Sequence, residues 1–216
     1  FVFWNHPNWD SQRKDGIARL DPFHKFLIEK RLLHGIEVVN EDTYSDEALK
    51  IALDNNLTIL GTSDIHGLTN WKYEISKGGH RPITFVKVES KTPESLKKAL
   101  FEGKTVIWFK DLLVGKEENL KALISENIII NSLKYPEDKT IANIEITNHG
   151  AAPIQLEYLG EYTFHKRPTF FSIPANSTII LNLKTVVKKN EIRLPFRVLN
   201  AIVAPKEYLE LSFIAK

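Results

Sequence analysis

The 216-residue chain has no cysteine and no methionine. Without cysteine there are no disulfides, thiolate nucleophiles or thiolate metal ligands, so any metal must sit among histidines and carboxylates. Without methionine, and with an opening Phe1-Val2-Phe3-Trp4 that reads as mid-strand, the chain is expected to be a fragment or a processed product. Surplus charge is nearly missing too. The 29 Lys and Arg stand against 27 Asp and Glu, a balance of +2, too small a surplus to indicate a nucleic-acid or polyanion partner by charge alone, so any phosphate recognition must be local. No apolar run is long enough to cross a bilayer as a helix, and no basic flank with a hydrophobic stretch marks an export signal. Internal repeats, low-complexity tracts and Gly-rich phosphate loops are also lacking. The remaining composition, 43% apolar and 26% charged, is that of an ordinary globular protein with one large or two small domains.

The pattern changes near residue 115. Before it, apolar runs at 1–4, 36–39, 58–60, 84–88 and 105–109 are rich in β-branched and aromatic residues and read as buried parallel strands. Amphipathic stretches at 21–33 and 45–55, and one opening at Thr92-Pro93-Glu94 and stopped by Gly103, read as covering helices. This half is expected to be α/β. A charged segment at 116–121 follows, expected to be helical. Beyond it, alternating runs at 141–147, 155–159, 178–184, 197–203 and 207–214, broken by turns such as Asn148-His149-Gly150, predict an all-β half, most economically a small β-sandwich.

Polar groups gather where three of the first-half strands should end. They are Asn5-His6-Pro7, Asn40 after Ile36-Glu37-Val38-Val39, and Thr62-Ser63-Asp64-Ile65-His66. The carboxyl ends of parallel strands open into a shared crevice, so these groups can build one site. On an extended backbone Asp64 and His66 would leave the same face and share an ion. Each feature alone also has a plain structural reading, as a cap or a turn. Glu37 is either a buried functional acid or an edge-strand residue facing solvent. His24, His34, His149 and His165 are read as structural.

Asn5-His6-Pro7, His34-Gly35-Ile36-Glu37-Val38-Val39-Asn40 and Gly61-Thr62-Ser63-Asp64-Ile65-His66 resemble, in order and spacing, late motifs of the PHP (polymerase and histidinol phosphatase) family of phosphoesterases. The resemblance covers roughly residues 1–110. Gly79-His80-Arg81-Pro82-Ile83-Thr84 followed by Thr92-Pro93-Glu94-Ser95-Leu96 is similar to a bacterial phosphodiesterase-like subgroup with an added C-terminal β domain. The resemblance implies α/β plus all-β architecture. Residues 1–115 would be the C-terminal part of a distorted (β/α)7 barrel, and residues 116–216 a β-sandwich domain. It implies two or three divalent ions (Zn, Mn or Fe), with His6, Asp64 and His66 as late ligands. The family's paired histidines, a further histidine and a bridging glutamate precede the position of His6, so this chain alone would hold an incomplete site.

The implied activity is hydrolysis of a small phosphodiester or phosphomonoester by a metal-activated water, with Glu37 as a candidate catalytic group. Arg81 and His80, in a loop that also carries Trp71 and Lys72, and Arg13, beside Gln12 and Lys14, are candidate substrate-binding residues. Two alternatives stay open, a metallohydrolase of a non-phosphate bond and a noncatalytic binding module. An extracytoplasmic (periplasmic) location is expected, with the cytoplasm equally compatible.

Overall fold

The computed structural model describes residues 1–136 and 139–216. Two compact units emerge: Phe1–Leu120 with Ile202–Glu207, and Lys121–Ala201 with Tyr208–Lys216.

In the first unit the elements run β1 (Phe3–Trp4), α1 (Pro22–Glu29), β2 (Gly35–Asn40), β3 (Thr43–Tyr44), α2 (Asp46–Asp54), β4 (Thr58–Thr62), α3 (Thr69–Lys72), β5 (Ile83–Val86), α4 (Pro93–Phe101), β6 (Thr105–Phe109) and β7 (Leu112–Gly115). Helix α1 is shorter than its apolar spacing predicts. Arg31 turns left-handed at φ 55°, and Leu32 and Leu33 send their N–H groups back to the Leu27 carbonyl. Helix α2 is capped by the Ser45 hydroxyl, which accepts from Ala48 N at 3.1 Å, and buries Ala48, Leu49 and Ala52. Helix α4 begins with the Thr92 cap and Pro93 and is followed by Gly103 in the left-handed region.

Strand β2 lies between β1 and β4, parallel to both, with β3 antiparallel at its end. The β2–β4 register shifts between Glu37 and Val39: Glu37 faces Leu60, yet Val39 faces the next residue, Gly61. Val38 is thus the extra residue of a β-bulge. Strands β5, β6 and β7 form an antiparallel meander, a correction to the all-parallel expectation for the runs at 84–88 and 105–109. A helix between two strands permits a parallel crossover without enforcing one, and α4 returns the chain antiparallel. Among the described residues the strands do not close into a barrel. The meander serves β4 through its threonines. The Thr84 hydroxyl meets both the N–H and the carbonyl of Gly61, at 3.0 and 2.8 Å, and Thr105 donates to the Ile59 carbonyl at 2.7 Å. Gly61 fits only without a side chain, because a Cβ there would lie 2.6 Å from Ile107 Cγ2. Ile36, Val38, Val39, Leu49, Ile59 and Ile107 form the centre of this unit's core.

Helix α5 (Glu117–Asn127) contains the division between the units. The second unit is a β-sandwich. One sheet orders β11 (Thr163–Phe164), β13 (Ser177–Lys184), β9 (Ile141–Asn148) and β8 (Ile128–Lys134). In the other, β10 (Ile154–Tyr158) pairs with β12 (Phe170–Ile173) and β14 (Ile192–Ala204), and β14 with β15 (Glu207–Ala215). Alternate residues Ala142, Ile144 and Ile146 and their counterparts Leu181, Leu183, Leu156 and Phe196 are buried, as a two-layer sheet packing requires. Phe164 joins the layers, its ring 5.0 Å from Tyr158 and 5.6 Å from Phe171.

Candidate functional site

The parallel strands β1, β2 and β4 end on the same side of their sheet. A cavity of about 640 Å³ opens there, lined by His6, Asp64 and His66. Asn40, Glu41 and Thr43 contribute from the β2–β3 turn, and Asn8, Trp9, Asp10 and Gly16 from the loop after β1. Three of the lining residues, His6, Glu41 and Asp64, have left-handed backbones, at φ 54°, 52° and 43°. Such conformations cost energy in residues with a Cβ and aim the side chains away from the continuing strand.

Glu37 ties these ends together. Its carboxylate is almost completely buried, with 1% of the side chain exposed. It accepts from the backbone N–H of His6 at 2.7 Å and from the Thr62 hydroxyl at 2.5 Å, and its Oε2 stands 3.2 Å from His6 Nδ1. One carboxylate thereby bonds residues from the ends of β1 and β4 while sitting on β2. The Asn40 amide reaches the same Nδ1 at 3.1 Å. A proton on Nδ1 directed at Glu37 leaves the Nε2 lone pair free, the arrangement by which carboxylates set a ligating histidine. In that tautomer the Asn40 NH2, itself a donor, is a neighbour of Nδ1 and not its hydrogen-bond partner.

Asp64 and His66 are not on an extended backbone. Strand β4 stops at Thr62, Asp64 turns left-handed, and His66 folds back so that Nδ1 is 2.8 Å from the Asp64 carbonyl and 3.9 Å from its carboxylate. The His66 side chain is 84% exposed. Tyr73 fixes the preceding turn by donating its hydroxyl to the Ser63 carbonyl at 2.9 Å. Burial, reinforced by the nearby Asp42 and Asp64 charges, pushes the Tyr73 pKa up, so it stays a donor.

The other predicted residues fall elsewhere. Arg13 is held by the Asp21 carboxylate at 2.6 Å and the Arg19 carbonyl at 3.0 Å and does not line the cavity. Its guanidinium holds the Asp21 carboxyl below the usual carboxylate range. His80 lines a separate cavity of about 320 Å³, stacks on Trp108 at 3.8 Å, and has its ring nitrogens against the Arg81 and Lys110 carbonyls. Arg81 lines neither cavity. Lys72 pairs with Glu41, and Trp71 is 79% exposed. His24 stacks on Trp4 at 3.9 Å, and His34 accepts from Val2 N at 3.0 Å. Trp9, Asn8, Asp10, Glu41, Thr43 and Tyr73 are participants that sequence reasoning misses, and Thr62 enters it only as a member of a strand-end run. Asn40 carried a signal, its place at a strand end.

His6, Asp64 and His66 match the chemistry of a site for zinc, manganese or iron, two imidazoles and a carboxylate facing one cavity. They fall short in proximity. Among the described residues, no three His, Asp or Glu side chains stand close enough to hold an ion. No described helix is long and apolar enough to cross a membrane.

Residues 128–214 match the model of a family described as an Ig-like domain. No curated protein matches the chain. Among solved structures, the chain is similar to a two-domain protein from Bacteroides vulgatus ATCC 8482 containing a predicted PHP-like metal-dependent phosphoesterase. Identity is 30% and the TM-score 0.87 over 98% of this chain. The match covers 61% of that protein, so the chain spans less than two thirds of the length of its structural relative.

Proposed function

We propose that residues 1–115 are the C-terminal part of a PHP-like (β/α)7 barrel acting as a metal-dependent phosphoesterase on a small phosphodiester or phosphomonoester, and that residues 116–216 are its β-sandwich domain. The observation that carries this is the convergence of His6, Asp64 and His66 on one cavity at parallel strand ends, with His6 braced by the buried Glu37. The similarity to a protein containing a predicted PHP-like phosphoesterase supports it. His6 and His66, as neutral imidazoles, and Asp64 would hold divalent ions, with the ligand set completed by groups outside these 216 residues. When bound, such ions supply Lewis acidity toward phosphoryl oxygens and water. Glu37 orients the His6 ring, Thr62 fixes the Glu37 carboxylate, and Tyr73 holds the turn that presents Asp64.

The test is elemental analysis of the protein carrying every residue its gene encodes, beside an Asp64→Ala, His66→Ala variant, with hydrolysis of bis(p-nitrophenyl) phosphate followed in both. Divalent metal that falls together with hydrolysis in the variant is the expected result. Metal-free wild-type protein would overturn the reading. It would leave a noncatalytic binding module, which the incomplete ligand set among the described residues favours.

A further inference from the structure

Trp9 stands at the cavity in a way its packing does not require. A turn closed by Trp9 N on the His6 carbonyl at 3.2 Å sets it beside that histidine, with ring centroids 6.0 Å apart and planes at 60°. Its own carbonyl accepts from Gln12 N and Arg13 N at 2.9 and 2.7 Å, so the backbone is pinned on both sides. The residue nevertheless remains 51% exposed. A rigidly held, half-exposed indole on a cavity wall is an unused apolar platform.

Around it the wall combines acceptor-only carboxylates, Asp10, Glu41 and Asp64, with amides and a hydroxyl that both donate and accept. Asp10, Asn8, Asn40 and Thr43 face the same cavity, and among the described residues no Lys or Arg lines it. Of the cations in neighbouring sequence, Arg13 is committed to Asp21 and Lys72 to Glu41. Such a wall disfavours further negative charge on a ligand, which excludes polyphosphates and sugar acids. It suits hydroxyl donors. A nucleobase would need a ring or apolar wall on both faces, and besides Trp9 the described lining offers only the imidazoles of His6 and His66, which the proposed function commits to metal.

We infer that this cavity takes a neutral, hydroxyl-rich group, a glycosyl or polyol moiety, packed by its C–H face on Trp9 and hydrogen-bonded through its hydroxyls to Asp10, Asn8 and Asn40. The volume of about 640 Å³ accommodates a group of that size. The inference rests on the proposed function for the phosphate end of the ligand and concerns its organic part.

Binding, read without turnover, separates the two. Calorimetry on the whole protein would use methyl α-glucopyranoside, uridine and inorganic phosphate as probes, with wild type, Trp9→Ala and Trp9→Phe. The expected result is millimolar glucoside binding, weakened about tenfold by Trp9→Ala, the factor that corresponds to 1.4 kcal/mol, and less by Trp9→Phe, with uridine bound more weakly. Trp9→Phe keeps an aromatic ring beside His6 and gives a folded comparison should the alanine variant misfold. Glucoside affinity equal in all three proteins, absent altogether, or below that for uridine overturns the inference, whatever the protein hydrolyses. A positive result in a protein that holds no metal would leave this inference standing and remove the phosphoesterase reading.

Discussion

Removing the Glu37 carboxylate should be among the most damaging single changes in the first unit. Glu37→Ala strands the His6 N–H and the Thr62 hydroxyl, both now paired with a buried anion. Each unsatisfied donor costs about 1–3 kcal/mol, so the loss should be about 4 kcal/mol, a large part of the roughly 5–15 kcal/mol that holds a domain together. Glu37→Gln should cost only about 1–2 kcal/mol, because the amide oxygen can accept from His6 N while the amide nitrogen donates to Thr62 Oγ. All four tryptophans, at positions 4, 9, 71 and 108, lie in the first unit, so intrinsic fluorescence during urea unfolding reports on that unit. Thr62→Val supplies a coupling check. Combined with Glu37→Ala it should cost about 1–2 kcal/mol less than the sum of the single losses, because the two changes remove one shared bond. A Glu37→Ala loss below about 1 kcal/mol, or strict additivity with Thr62→Val, would show that the carboxylate does not join the strand ends.

Three further outcomes follow from local geometry. Burial holds the His24 pKa below its ordinary 6.5, and Asp21 N donates to its Nδ1 at 3.3 Å, so the native state favours the neutral ring. Its contribution is therefore complete above pH 6.5 and is lost as pH falls from there through the depressed native value; an NMR titration midpoint at or above 6.5 would contradict this. Gly61→Ala should destabilise the first unit by about 1–3 kcal/mol through overpacking on Ile107, and adding Ile107→Ala should recover part of it. Unfolding midpoints that show no such recovery would refute the contact. In the second unit, Asn148 is fully buried, donates toward the carbonyls of Ala152, Ile173 and Pro174 at 2.9–3.2 Å, and accepts from Gly150 N at 2.8 Å. Asn148→Ala should cost about 2–4 kcal/mol by leaving these groups unpaired, read by circular dichroism in urea; a change under 1 kcal/mol would discount the network.

Much of the fold is written in runs whose burial is two-sided. Ile36 to Val39 and Thr58 to Leu60 are buried on both faces and mostly apolar, so their strand character survives without partner information. Direction does not. Nothing in Thr84–Val88 or Thr105–Phe109 distinguishes a parallel from an antiparallel neighbour, because the pairing depends on how the chain around α4 returns. Strand β8 escaped notice because its register shifts between Ile130 and Ser132 and spoils the alternation. At the cavity, His6 and Asp64 could be read from strand ends. Trp9 could not, and Thr62 showed only its place at a strand end, since an ordinary threonine and an ordinary tryptophan acquire their roles only from Glu37 and His6 across the fold.

The bulge at Val38 acts as a change of parity. In an unbroken strand, residues three apart point to opposite faces. Glu37 and Asn40 are three apart, yet both reach Nδ1 of the same imidazole, at 3.2 and 3.1 Å. The inserted residue makes this geometry available, because it sets Glu37 opposite Leu60 and Asn40 opposite Thr62, two positions that share a face of β4. Closing the bulge with Val38 kept in the ladder would slide Asn40 one position past Thr62 and turn it from His6, whereas deleting Val38 would keep Asn40 opposite Thr62, so it is the unpaired state of one apolar residue that holds two polar residues on a common face.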